Sequence, residues 1–127
     1  MPSGDDDTSV AVHGRERTIQ YAIRGNGSMP AKKFIEGLSA GEQAKVAVLF
    51  KKMAGTARIW NTTQYKKVEG NIWEFKRHQI RVMCFQVGKR LVLTHGFRKK
   101  VDRTPRSEIK RAERIREEHS RREGSHG

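Results

Sequence analysis

From Ile72 to Phe97 the chain alternates strand-like runs with breaks short enough only for hairpins. This feature limits the possible folds more than any other. Ile72 to Arg77 puts Trp73 and Phe75 on one side and Glu74 and Lys76 on the other. Ile80 to Val87 follows through Arg77-His78-Gln79, and Leu91 to Phe97 follows through Gly88-Lys89-Arg90. The runs are rich in Val, Ile and aromatic residues, which suit a pleated, half-buried surface. Parallel neighbours need a crossover of about a dozen residues or more, so the three runs are expected to form an antiparallel meander.

The flanking segments predict helices and one further strand. Thr18 to Ile23 alternates, with Ile19, Tyr21 and Ile23 on one side, and Gly25-Asn26-Gly27-Ser28 then breaks the chain. Pro30 suits a first helical turn, and Ala31, Phe34, Ile35 and Leu38 follow at helical spacing. Ser39-Ala40-Gly41-Glu42 has the pattern of a capping box, in which Ser39 and Glu42 satisfy each other's backbone donors. Val46, Leu49, Phe50 and Met53 form the apolar stripe behind it, and the two helices are expected to make a hairpin. Thr104-Pro105 reads as an N-cap and first helical residue, with Ile109, Ala112 and Ile115 on one face of the helix that follows. The expected order is β-α-α-β-β-β-α. This is an α+β design with a small twisted antiparallel sheet, a helical hairpin on one face, the other face open, and a C-terminal helix. Residues 1–16 read as a flexible leader, 17–118 as the domain and 119–127 as a disordered tail.

The 127 residues carry 27 Lys and Arg against 14 Asp and Glu, a net charge of +13. Residues 58–100 hold 11 basic and 2 acidic residues, so +9 of that excess sits in the strand-like middle. The arginine-rich C-terminus is nearly balanced by Glu108, Glu113, Glu117, Glu118 and Glu123, the pattern of a solvated helix. An uncompensated basic sheet predicts a polyanionic partner, nucleic acid foremost. One cysteine excludes an internal disulfide or a four-cysteine zinc site. His13, His119 and His126 lack the spacing of metal ligands. No metal or cofactor is expected. The N-terminus, with three adjacent aspartates, does not resemble a secretory signal, and no apolar run approaches ~20 residues. The expectation is a soluble, cytoplasmic protein.

Four pieces in order resemble the RelE/ParE superfamily of bacterial toxins, nearest its phage-derived, HigB-like branch. They are Lys67-Val68-Glu69-Gly70-Asn71-Ile72-Trp73-Glu74-Phe75-Lys76, Ile80-Arg81-Val82, Leu91-Val92-Leu93-Thr94-His95-Gly96-Phe97-Arg98-Lys99-Lys100, and Thr104-Pro105 with Glu108-Ile109 to Ala112. The likeness runs from about Thr18 to Glu117. It implies a RelE-like fold and the toxin of a type II toxin–antitoxin module. RelE- and HigB-like members cut mRNA on the ribosome, and a cognate antitoxin, often of helix-turn-helix type, silences them. The ParE branch acts instead on DNA gyrase. A non-catalytic nucleic-acid-binding protein is the remaining alternative.

Metal-independent RNA cleavage needs a deprotonated 2′-OH, a stabilised phosphorane and a protonated leaving group. The resemblance makes Arg81, in the family's Tyr-Arg-Val strand, the first catalytic candidate, binding phosphate and stabilising the transition state. Lys76, standing where the family usually has arginine, is a further catalytic candidate that keeps the charge and loses the fork, and Arg77 beside it is a candidate RNA contact. Arg98 aligns best with the family's basic strand end and is a candidate catalytic group, with Lys99 and Lys100 as RNA contacts. His95 and His78 are candidate proton-transfer groups. Alternation puts His95 with Leu91, Leu93 and Phe97. Lys66 and Lys67 beside Tyr65 form a candidate RNA-contacting cluster, with Tyr65, Trp60 and Trp73 available for stacking. Ile80 and Cys84 replace aromatic residues common in the family, which removes a tyrosine acid or base at those positions.

Overall fold

The computed structural model describes residues 8–58, 62–101 and 103–124. Trp60 lies outside the described residues. The elements are β1 (Val10–His13), β2 (Thr18–Tyr21), α1 (Pro30–Glu36), α2 (Ala40–Ala54), β3 (Tyr65–Glu69), β4 (Ile72–Arg77), β5 (Ile80–Val87), β6 (Arg90–Arg98) and α3 (Arg106–Gly124). The strands form one sheet in the order β1-β2-β6-β5-β4-β3. The α+β class, the meander and the C-terminal helix agree with the sequence, and the architecture is consistent with a RelE-like fold.

The sheet is mixed. β2 runs parallel to β6, pairing Thr18 with Arg90 and Tyr21 with Leu93, while the other pairs are antiparallel. The parallel pair is possible because the long excursion through both helices and three strands separates β2 from β6.

Two strands are additional to those expected, and both lie at edges. β3 carries the Lys66–Lys67 pair of the candidate RNA-contacting cluster. Charged residues are common on an edge strand, where they discourage pairing with another chain. β1 falls inside the segment expected to be a flexible leader. The backbone N–H groups of Glu16 and Arg17 donate to the Ala54 carbonyl at 2.9 and 3.0 Å. The Arg17 guanidinium also bonds the carbonyls of Met53, Thr56 and Ala57. These bonds satisfy acceptors at the C-terminal end of α2 and fasten the β1–β2 turn there.

The capping box forms as expected: the Ser39 hydroxyl accepts from the Glu42 N–H at 3.2 Å, and the Glu42 carboxylate accepts from the Ser39 N–H at 3.1 Å. The stripe of Val46, Leu49, Phe50 and Met53 buries against Ile19, Phe75, Ile80, Val82, Cys84, Leu91 and Leu93. Tyr65 belongs to this core and is fully buried, so it offers no stacking surface to a ligand. Its hydroxyl accepts from the Gln86 amide at 3.0 Å.

The expectation of an open second face is corrected by α3. Ile109, Ala112 and Ile115 pack on Ala22, Ile72, Met83, Phe85 and Val92, on the opposite side of the sheet. β5 is accordingly buried without interruption from Ile80 to Phe85, as expected of a strand covered on both faces. α3 also continues past the expected start of a disordered tail. His119 is buried, and its Nδ1 accepts the Ile23 N–H at 3.0 Å. Arg90 pairs with Glu123 at 2.9 Å.

Gly96 allows α1 to approach β6. A Cβ added there would lie 2.2 Å from Phe34 Cδ2 and 2.6 Å from Cε2. Gly96→Ala is therefore expected to destabilise the fold by about 1–3 kcal/mol, the range for overpacking. Urea unfolding midpoints would measure it. An unchanged midpoint would show that Phe34 moves aside without penalty.

Candidate nucleic-acid interface

Strand alternation puts Glu74 and Lys76 of β4, Arg81 of β5 and Lys66 of β3 on the face that α3 covers lower down. The register pairs Lys66 with Glu74 and Lys76 with Arg81. α3 begins at Arg106 and packs toward the Ile72–Phe85 end, so the cations occupy the end of the sheet beyond it. Lys99, just past β6, joins them through its backbone N–H, which donates to the Gln79 carbonyl at 2.7 Å.

Glu74 lies at the centre with no solvent exposure. Its Oε2 is 3.9 Å from Arg81 Nε and 4.0 Å from Lys66 Nζ. Its Oε1 accepts from the Thr104 hydroxyl at 2.8 Å, which ties the approach to α3 onto the sheet. Arg81 Nη1 donates to the carbonyls of His78 and Ile80, bracing the β4–β5 turn. His78 there is exposed, with φ of 54°. Arg81 Nε and Glu74 Oε2 are both buried without a hydrogen-bond partner. Burial, together with Arg81, Lys66 and Lys76, pushes the Lys99 amine below its ordinary value, and Glu74 opposes this. A compact group of cations around one anion can attract and orient a phosphodiester.

Several candidates stand elsewhere. Arg98 occupies the opposite face, where its guanidinium makes a bidentate pair with Glu42 of α2 at 2.9 Å for both bonds. That pairing holds the Glu42 carboxyl down at about 2. Arg98 therefore secures α2, and Lys99, one residue further on, is the strand-end cation that reaches the site. Arg77 also faces α2, lining a cleft of about 330 Å³ with Lys45, Lys52 and Gln64. Lys67 lies 5.9 Å above the Trp73 ring, which stacks on Tyr65. Lys100 is exposed beyond β6. Ile80 and Cys84 are buried in the core beneath α2, so residues at these positions point away from Arg81. Burial pushes the Cys84 thiol up to about 12, as fits a packed side chain.

His95 is where alternation misleads. The β5–β6 register passes from Cys84–Leu93 to Met83–His95, leaving Thr94 as an extra residue. This bulge turns His95 and Phe97 to the α3 face, while Leu91 and Leu93 stay in the opposite core. The His95 Nε2 lies 2.8 Å from Glu108 Oε1, and its Nδ1 lies 3.2 Å from the Thr94 hydroxyl. Nε2 donating to the carboxylate leaves Nδ1 to accept from the hydroxyl. Both nitrogens are thus occupied, and the residue links β6 to α3 rather than offering a free acid or base.

Burial pushes the His95 imidazole down to about 4, against an opposing pull from Glu108. The unfolded imidazole titrates near 6.5. Between those values the unfolded chain binds a proton that the folded chain does not. Stability is therefore expected to fall as pH drops from about 6.5 to about 4, by on the order of 3 kcal/mol from this residue. Buried His119 shifts the same way, so urea midpoints across this range should be compared with those of His95→Gln. The variant is expected to show the shallower dependence, and identical slopes would assign it to other groups.

Glu74 is the central residue that sequence reading overlooked. Its signal was available: it is one of two acidic residues in the +9 segment, and it alternates onto the face of Lys76. Among the described residues no cluster of His, Cys, Asp or Glu could hold a metal ion, and no helix is long and apolar enough to cross a membrane.

A mixed sheet between helical layers, with a cationic group at one end, defines a small α+β protein whose architecture is consistent with a RelE-like fold. Residues 33–117 match the family described as phage derived protein Gp49-like (DUF891), and the chain belongs to that family. No curated protein matches the chain. Family membership is compatible with a toxin role.

Proposed function

We propose that the chain is the toxin of a type II toxin–antitoxin module and acts as a ribosome-dependent mRNA endoribonuclease. The observation that carries this reading is the grouping of Lys66, Lys76, Arg81 and Lys99 around buried Glu74, at the end of the sheet beyond α3. Fixed positive charge on a rigid sheet suits a phosphorane better than it suits a ground-state phosphate, because charge accumulates in the transition state. In this mechanism the 2′-OH gives up its proton, and its oxygen attacks the adjacent phosphorus in line. The bond to the 5′-oxygen then breaks, and that oxygen takes up a proton. The products are a 2′,3′-cyclic phosphate and a 5′-OH. Arg81 and Lys99 stabilise the phosphorane, while Lys66 and Lys76 steer the backbone. A cognate antitoxin, of helix-turn-helix type in the resemblance, would silence the site by covering these cations.

The test is purified protein added to ribosomes programmed with a defined message, with the RNA ends mapped. Cleavage leaving cyclic phosphate ends is expected. Intact message at doses that stop growth would overturn the reading, and DNA damage in the same cells would point to the gyrase alternative.

A further inference from the structure

We propose that Glu74 is a positioning residue, whose buried carboxylate holds Arg81, Lys66 and Lys99 in the geometry that receives the scissile phosphate. This deepens the nuclease reading above and rests on it. A fully buried carboxylate is costly unless it is well paired and hydrogen-bonded. Glu74 is only partly so. One oxygen accepts from Thr104, while the other sits 3.9 Å from Arg81 and 4.0 Å from Lys66 without a hydrogen bond. Replacing a whole buried ion pair by apolar residues is often neutral or stabilising, so stability alone does not call for a charged group at this place. A central anion does have an effect that an apolar residue lacks: it offsets repulsion among three cations converging from β3, β5 and the end of β6. Those cations remain preorganised before RNA arrives, and preorganisation is the main source of electrostatic rate enhancement. Thr104 fixes the carboxylate from the α3 side, so the position is set by two layers of the fold.

The sign of the expected effect separates positioning from simple charge. Glu74→Gln keeps the shape and the Thr104 contact and makes the site one unit more positive. Charge alone predicts tighter RNA binding and an unchanged turnover. Positioning predicts that kcat falls at least tenfold while KM stays level or drops. Thr104→Val, which leaves every charge in place, is expected to lower kcat in the same direction by about threefold or more. In addition, the Lys99 amine, read by NMR in the intact chain, should titrate lower in Glu74→Gln, because the opposing pull of the Glu74 carboxylate is then gone. Turnover within twofold of the unaltered chain, in a variant folded by circular dichroism, would overturn the proposal. If Glu74→Gln fails to fold, Thr104→Val decides by the same kinetic criterion. No cleavage by the unaltered chain would overturn the nuclease reading. The Lys99 titration would then decide the electrostatic placement, with an unshifted amine counting against it.

Discussion

Arg81→Ala is expected to reduce RNA cleavage by about 100- to 1000-fold and to abolish growth arrest, the range seen when one preorganised oxyanion donor is removed. The expectation follows from the place of Arg81 on the sheet. It sits on β5, a central strand buried on both faces, so its backbone is held rigidly. Nη1 is engaged by the His78 and Ile80 carbonyls, which sets the plane of the guanidinium. Nε lies buried without a hydrogen-bond partner beside Glu74. Arg81→Lys keeps the charge and loses the fork, so it should retain a small fraction of the activity. Removing the side chain also releases two bonds at the turn, with a stability cost of about 1–3 kcal/mol. Single-turnover cleavage on programmed ribosomes, with thermal unfolding alongside, separates the two effects. Cleavage by Arg81→Ala within threefold of the unaltered chain would remove Arg81 from the mechanism.

Ile115→Ala is expected to destabilise the protein by about 2–5 kcal/mol, the range for emptying a buried aliphatic site. Ile115 has no solvent exposure and lies in the layer formed with Ile72, Met83, Phe85 and Val92. Denaturant unfolding with an unchanged slope would measure this directly. A loss below about 1 kcal/mol would make α3 a peripheral attachment. The result bears on silencing: if α3 is integral, a partner that displaced it would have to pay for exposing this second core. Covering the cationic end of the sheet would be the less costly route.

Much of the architecture was legible because it depends on neighbours in the chain. The Ser39–Glu42 capping box, proline at the start of α1 and the short breaks of the meander are local signals, and each appears as read. β1 and β3 were not legible, since four and five residues are too short to carry a periodic signal and β3 is largely charged. Within the site, Lys66, Lys76, Arg81 and Lys99 come together. Arg77, Lys67 and Arg98 do not, because neighbouring strand residues point to opposite faces.

By itself the sequence determined the α+β class, the order of the helices and of the central strands, and the concentration of +9 charges between residues 58 and 100. Only the tertiary structure decided which of those charges meet. The parallel docking of β2 on β6, the placement of α3 on the second face, and the extra residue Thr94 that turns His95 toward Glu108 depend on contacts between distant segments. Periodicity assigns side chains to alternating sides of a strand, but it does not say which side a distant helix will cover, nor where a bulge will reverse the count.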